Sequence, residues 1–314
     1  MPSLEAMDLR QLAALTAVAE AGSFSAAARR LHTVQSNVST HVARLERDLG
    51  ASLVDRSTGS LTEEGEVVVE RARRIQHEID ALRADIDSML HQVAGDVRLG
   101  CIGSVSRWMA PRLLDLLAER HPLVHLVIVD ATTTSLVPQV VADSLDLAVI
   151  NVPAVTADLA TEPLFDEDRI VLAPLDHPLA RHERLTLAEL AEHELLLEPQ
   201  GTAFRDVLDD EAARAGVSMR PQAEIDGIRL LSSLAFEGFG AAVVPATAAR
   251  PWFDTRCRRV PVDGLAPRSV GIAVPRRGRL SAPARAVRTA IRDLVAASDQ
   301  EGVTVTLGTS VTRQ

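Results

Sequence analysis

The chain has 314 residues, too many for one compact core and enough for about two or three folding units. Hydrophobic residues make up 46%, which excludes global disorder, and no run of about 18 apolar residues offers a membrane-spanning helix. A net charge of −10 excludes a broadly basic surface, so any grip on nucleic acid has to be local.

From Phe24 to Leu49 a short alanine-rich helix pattern, a polar turn and a second helix pattern follow one another. That is the order of a helix-turn-helix, which inserts its second helix into the DNA major groove. Ala26, Ala27 and Ala28 let another helix approach closely, and Phe24 and Leu31 are expected to supply the buried edge. In the second helix Val38, Val42, Leu45 and Leu49 repeat at helical spacing on one face, leaving Gln35, Ser36, Ser39, Thr40 and Arg44 largely on the other. Gln and Arg pair bidentately with base edges, so this outer face suits DNA. Any small three-helix subdomain has an apolar face and a polar one; the motif order is what favours DNA. Arg29, Arg30, Arg44 and Arg47 against Glu46 alone make the segment locally positive. With so few phosphate contacts per subunit, useful affinity requires two such domains. Every one of these basic residues is Arg because the chain has no Lys at all, a compositional bias rather than a DNA signal.

The run from Met7 to Gly65 resembles the amino-terminal domain of LysR-type transcriptional regulators. The resemblance is carried by Leu9, Leu12, Val18, the Glu20 to Phe24 turn, Ala27 and Ala28, Leu31, Gln35, Val38 and Ser39, Leu45 and Glu46, Leu49 and Gly50, Arg56, and Leu61-Thr62-x-x-Gly65. It implies a winged helix-turn-helix over 7–64 with the motif at about 24–43. Gln35, Ser36, Ser39 and Thr40 would meet base edges, and Arg44 and Arg56 would meet phosphate. Two departures stand out. The stretch Arg56 to Thr62 is shorter than the usual wing loop and lacks its second basic residue. Ser36 and Thr40 replace the Pro and the longer polar residue frequent there, so the preferred operator should differ.

Thr62 offers a helix cap, with Glu63 and Glu64 in the first turn, where the helix dipole favours negative charge. A linker helix over 62–93 is expected. Val68, Ala72, Ile75, Ile79, Leu82, Ile86, Met89 and Val93 alternate at spacings of four and three, an a/d seam for a second copy of the chain. Beyond Gly95, strand-like and helix-like segments alternate: a strand from Val97 to Ile102, a helix from Met109, a strand from His125, a helix from Ser135 and a strand from Leu147. This order points to a parallel α/β sheet. A second such unit is expected from about Leu164, with Ser269 to Val274 returning to the first. The crossings are expected near 152–163 and 261–267. Through the same resemblance, 95–297 is expected to be a periplasmic-binding-protein-like effector domain of two α/β subdomains, 95–162 with 268–297 and 163–267. The polar stretch 298–314 is expected to be a disordered tail.

In open α/β sheets ligands bind beyond the carboxyl ends of the strands. That rule selects Ser104, Val105, Ser106, Thr132, Thr133, Asn151, Gln200, Gly201, Thr202, Asp226 and Gly227, loops that converge on one cleft in the family. Taken singly, each Ser, Thr or Asp is better explained by helix capping than by ligand contact. Hydroxyls and free N–H groups at helix starts favour a small anionic or strongly polar ligand, although Arg107 is the only cation in these loops. Trp108, beside the first of them, is equally a pocket wall or a core plug. His121 and His125 are separated by Pro122, which prevents a helical metal pair. Gly238 to Val243 follows a helix and leads into a strand, the reverse of a dinucleotide loop. Cys101 and Cys257 are the only cysteines, read as inert hydrophobes in a reducing compartment. Glu5 and Asp8 stand where a secretion signal would be basic and then apolar, so a cytoplasmic protein is expected.

The expectation is therefore a homodimeric or homotetrameric regulator that binds double-stranded DNA and is controlled by a small-molecule effector in the cleft. RNA polymerase would be a partner if it activates. No enzyme activity, cofactor, metal or membrane partner is expected. The rivals are a solute-binding receptor, which would need a secretion signal, and an enzyme with a nucleophile near Cys101 or Ser104, which would need a nearby base.

Overall fold

A computed structural model of the chain describes residues 7–55, 58–90, 92–154, 156–249 and 255–307. These form two compact units, one running to Arg83 and including Ala142–Ser144, the other running from Ala84 to Val141 and onward from Leu145.

The first unit packs α1 (Leu9–Ala21), α2 (Phe24–Arg30) and α3 (Gln35–Leu49) against the start of α4 (Glu63–Leu90). Asp8 caps α1 through a reciprocal arrangement with Gln11, and Ser23 caps α2. Leu15, Val18, Ala27, Val38, Val42, Leu45 and Leu53 form the core. Ala27 is fully buried, which is why the short helix is rich in alanine: a larger side chain would hold the helices apart. Leu31 and Leu49 do not join this core and are 38% and 44% exposed. Each ends its helix, where the chain is turning away. After α3, Val54 bridges to Leu61 in a small wing, and Glu46 of α3 accepts the Leu53 and Val54 N–H groups.

Helix α4 starts where the sequence predicts, with the Thr62 hydroxyl accepting the Gly65 N–H, but its register divides the expected seam. Ala72 is buried in the core of the first unit, beside Val69, and Val68 packs against that core. The helix ends at Leu90, so Val93 lies beyond it and cannot extend the seam. Ile75, Leu82, Ile86 and Met89 remain 38%, 63%, 47% and 80% exposed, and Ile79 is half-buried.

The second unit holds two six-stranded sheets. Its elements are β1 (Ala94–Cys101), α5 (Gly103–Arg120), β2 (Leu123–Asp130), α6 (Thr133–Val141), β3 (Leu147–Val152), β4 (Leu159–Glu167) and β5 (Arg169–Pro174). Then follow β6 (Leu185–Thr186), α7 (Leu187–Ala191), β7 (Glu194–Leu197), α8 (Ala203–Arg214), β8 (Arg220–Glu224), α9 (Ile228–Phe236) and β9 (Ala241–Pro245). The chain closes with β10 (Cys257–Asp263), β11 (Arg268–Pro275), α10 (Ala282–Ala296) and β12 (Val303–Val305). The strand orders are β12-β4-β11-β3-β1-β2 and β6-β10-β5-β9-β7-β8.

Both sheets are mixed rather than parallel: β1 runs parallel to β2 and β3, whereas β11 runs antiparallel to β3 and β4. The first crossing between subdomains therefore falls at Asp168, between β4 and β5, and not near 152–163. Strand β4 is hard to see in the sequence because Pro163 interrupts it. The register shifts between Val270 and Gly271, opposite that proline, and a bulge is where a sheet tolerates Pro. The expected disordered tail is corrected for 298–307, where β12 pairs with β4; the remainder of 298–314 lies outside the described residues. Among the described residues no helix is long and apolar enough to cross a membrane.

Gly65 has a packing reason. A Cβ there would lie 2.0 Å from the Leu53 carbonyl oxygen, so glycine lets α4 press against the backbone of the wing. Gly65→Ala is expected to destabilise the first unit by about 1–3 kcal/mol. Thermal unfolding of the full chain checks this, and an unchanged melting curve would contradict it.

Candidate functional site

The first candidate surface is α3. Gln35, Ser36, Thr40 and Arg44 are exposed, and Ser39 is half-buried beside fully buried Val38 and Val42. Gln35 is held by α2, since the Ser25 hydroxyl donates to its Oε1 at 2.8 Å. The Thr40 hydroxyl donates back to the Ser36 carbonyl at 2.8 Å, leaving its oxygen as an acceptor toward solvent. The α3 N-terminus has no side-chain cap, so its first N–H groups stay available to phosphate. One cation is partly withdrawn, because Arg30 pairs with Glu20 at 2.8 Å. Arg56 lies outside the described residues.

The second candidate is a cavity of about 510 Å³ between the two subdomains of the second unit. Ser104, Thr132, Thr133, Asn151, Gly201, Thr202, Asp226 and Gly227 all line it. The elements explain why: β1, β2 and β3 end side by side and deliver their following residues to one place. The structure removes three residues from the expected set. Helix α5 begins at Gly103, not Met109, which turns Val105 inward to full burial in the core. Ser106 faces a separate depression beside Arg107 and Ser233. Gln200 is exposed at the loop tip and does not line the cavity. Trp108 is a core plug, 4% exposed and edge-on to Phe165 at 5.5 Å.

Several hydroxyls are already occupied as caps: Thr132 accepts the Ser135 N–H and Thr202 the Arg205 N–H. Charge comes from residues that loop reading missed. Arg268, at the start of β11, binds fully buried Glu167 at 2.6 Å through Nε and donates to the Ser104 hydroxyl at 2.5 Å. Arg229 of α9 pairs across the cleft with Asp130 of β2 at 2.9 Å. Glu198, at the end of β7, is pushed up to about 7 chiefly by burial, with nearby Asp226 adding to the shift. Arg268, Thr202 and the Gly227 N–H pull it the other way. The strand-end rule reaches Asp130 and Glu198, since the first ends β2 and the second directly follows β7, but Arg268 enters from a strand that begins at the cleft and carries no such signal. Among the described residues no group of three or more His, Cys, Asp or Glu could hold a metal.

Because the Glu198 value is raised, ionisation in the folded chain is the costly event. The penalty is absent below the ordinary value of 4.5, grows as pH rises toward 7, and is complete above it. Glu198→Gln keeps the acceptor oxygen and removes the charge. It is expected to raise the melting temperature by about 2–4 °C at pH 8 and to leave it unchanged at pH 4.5; scanning fluorimetry at the two pH values measures the difference, and a fall at pH 8 would contradict it.

Residues 9–66 match the family model for the bacterial regulatory helix-turn-helix protein, lysR family, and residues 91–296 match the LysR substrate binding domain. The chain is 33% identical over 294 residues to a Mycobacterium leprae protein named "Probable hydrogen peroxide-inducible genes activator", covering 90% of this chain and 93% of the relative. It is 29% identical over 281 residues to a RuBisCO operon transcriptional regulator of Allochromatium vinosum, covering 88% of this chain and 93% of that protein. A full-length OxyR variant from Pseudomonas aeruginosa superimposes with a TM-score of 0.71 at 25% identity, covering 95% of this chain and 98% of that one. The chain belongs to the LysR family: it is a transcriptional regulator that joins a DNA-binding helix-turn-helix to an effector-binding domain of two α/β subdomains.

Proposed function

We propose that this regulator reads its operator with Gln35, Ser36, Ser39 and Thr40, clamps phosphate with Arg44 and Arg56, and is switched by a small molecule held between the two effector subdomains. The observation that carries the switch is the cavity, where eight of the residues selected from the sequence line a single space. Ser104, Thr132, Thr133, Asn151, Gly201, Thr202, Asp226 and Gly227 form the contact set. A ligand that favours one subdomain angle over another shifts the population of DNA-bound states, and only that difference in affinity can act. The regulator works in the cytoplasm, where its DNA is. No catalysis is part of this reading: the Ser104 hydroxyl is engaged by Arg268, and among the described residues no His or Cys lines the cavity.

The names of some relatives suggest a second reading, a thiol that senses peroxide. The two cysteines argue against it. Cys101 is fully buried and Cys257 is 1% exposed, and they lie in different sheets. Burial raises both thiols, Cys257 to about 11 and Cys101 further, so neither presents a thiolate.

Two measurements test the DNA and assembly assignments. Gln35→Ala should cost about 1–3 kcal/mol at the preferred site and relax one base position, whereas Arg44→Ala should weaken all sequences alike. Competition binding distinguishes them, and an unchanged site preference in Gln35→Ala would refute the base contact. For assembly, the part of the seam beyond the core of the first unit, Ile75, Ile79, Leu82, Ile86 and Met89, pairs two subunits. Leu82 is 63% exposed, so Leu82→Asp spares the core of each subunit while placing a charge in the seam. Sedimentation should show the dimer weakened at least tenfold, roughly 1.4 kcal/mol or more, with operator binding falling in parallel; an intact dimer would remove the seam as the main interface.

A further inference from the structure

The hydroxyl-rich loops favour an anion when read singly, but the assembled cavity does not. Its two cations are engaged, Arg268 by Glu167 and Arg229 by Asp130. Helices α5 and α9 both begin at the cavity without a side-chain cap on their N-cap residue, the usual invitation to an anion. The protein's own carboxylates sit there already. Glu198 accepts the Gly227 N–H at the start of α9. Asp130 Oδ1 lies 3.2 Å from where a Cβ on Gly103 would stand, at the start of α5. Two carboxylates without an ion pair remain among the described residues. Glu198 and Asp226 repel one another and have no salt bridge among the described residues.

Given that the cleft is the effector site, as proposed above, we infer that its ligand carries a positively charged nitrogen, as a small amine or guanidine. The cationic group sits between Glu198 and Asp226, and carboxylates and phosphates are turned away. An ammonium brings one positive charge and up to three donors to the two carboxylates. A carboxylate in the same place would add a third negative group to two already in mutual repulsion. The inference also carries a pH signature. Glu198 is faced by Arg268 from β11, by Asp226 from the loop before α9, and by Thr202 and the Gly227 N–H. A bound cation favours its ionised form, so affinity should hold above pH 7 and fall roughly tenfold per pH unit below it, until the value in the complex is reached.

The test is calorimetry on the full-length protein with 1,4-diaminobutane, agmatine and glycinamide as amine probes, and with 1,4-butanediol, succinate and inorganic phosphate as neutral and anionic ones. At least one amine should bind, and the diol and anions should not. Glu198→Gln and Asp226→Asn should each weaken the amine about tenfold or more, and Glu198→Gln should also flatten the pH dependence. Binding of succinate or phosphate that Thr132→Ala and Asn151→Ala weaken would overturn the amine assignment and leave the cleft as the effector site. Amine binding indifferent to all four substitutions would place the site elsewhere and sink both readings. Absence of heat with every amine overturns the assignment.

Discussion

The effector domain depends on the buried pair between Glu167 and Arg268. Glu167 is fully buried and Arg268 8% exposed, and they are the last residue of β4 and the first of β11, the two strands at which the chain leaves and re-enters the first subdomain. An unpaired carboxylate in that place would carry a desolvation cost of several kcal/mol, so the pair is held only where its geometry is complete. It is complete: Glu167 also accepts the Thr247 N–H at 2.9 Å from the second subdomain, and Arg268 reaches Ser104 at the mouth of the cavity. A second buried pair stands on the other side of the same crossing. Arg169 meets Glu211 at 3.5 Å, and Glu211 accepts the Ala266 N–H of the returning strand connection at 3.0 Å. Both crossings are thus flanked by buried charge pairs.

The same economy governs the cavity. Its hydroxyls are largely spent on ordering the loops that carry them, as caps of α6 and α8. Its arginines are spent on binding the subdomains together, one at the crossing and one, Arg229, across the mouth to Asp130. Glu198 and Asp226 keep no salt bridge among the described residues, so the charge of the assembled walls differs in sign from that of the loops taken one at a time. Electrostatic character here belongs to the assembled walls.

A similar division runs along α4, whose residues to Arg83 belong to the first unit and whose last turns belong to the second. Its early turns complete the core through Val69 and Ala72, pressed close by the absence of a side chain at Gly65. Its later turns leave Leu82, Ile86 and Met89 in solvent, while Asp85 accepts the Ala282 N–H at 2.7 Å and pairs with Arg285. One regular apolar repeat therefore serves an internal core first and an outward face afterwards. Periodicity shows that a helix has an apolar side; it does not say what covers that side.

The helix-turn-helix, the long helix and the alternation of strands and helices were legible in the sequence, because each follows from local spacing, capping and turn chemistry. The polar face of α3 was legible for the same reason: four buried apolar positions would determine where the others point, and three of them, Val38, Val42 and Leu45, are buried. Most of the cavity loops were found by the rule that ligands gather at strand ends. Tertiary structure alone decided the rest. Strand β4 was hidden by Pro163, which only a bulge opposite Gly271 accommodates. The first two turns of α5 took Val105 and Trp108 into the core, since a helix starting six residues earlier rotates its side chains to different faces. Above all, Arg268 meets Glu167 across 101 residues of chain, and Arg229 meets Asp130 across 99 (229 − 130). Charge pairing depends on distance in space, and at such separations along the chain only the completed fold sets that distance.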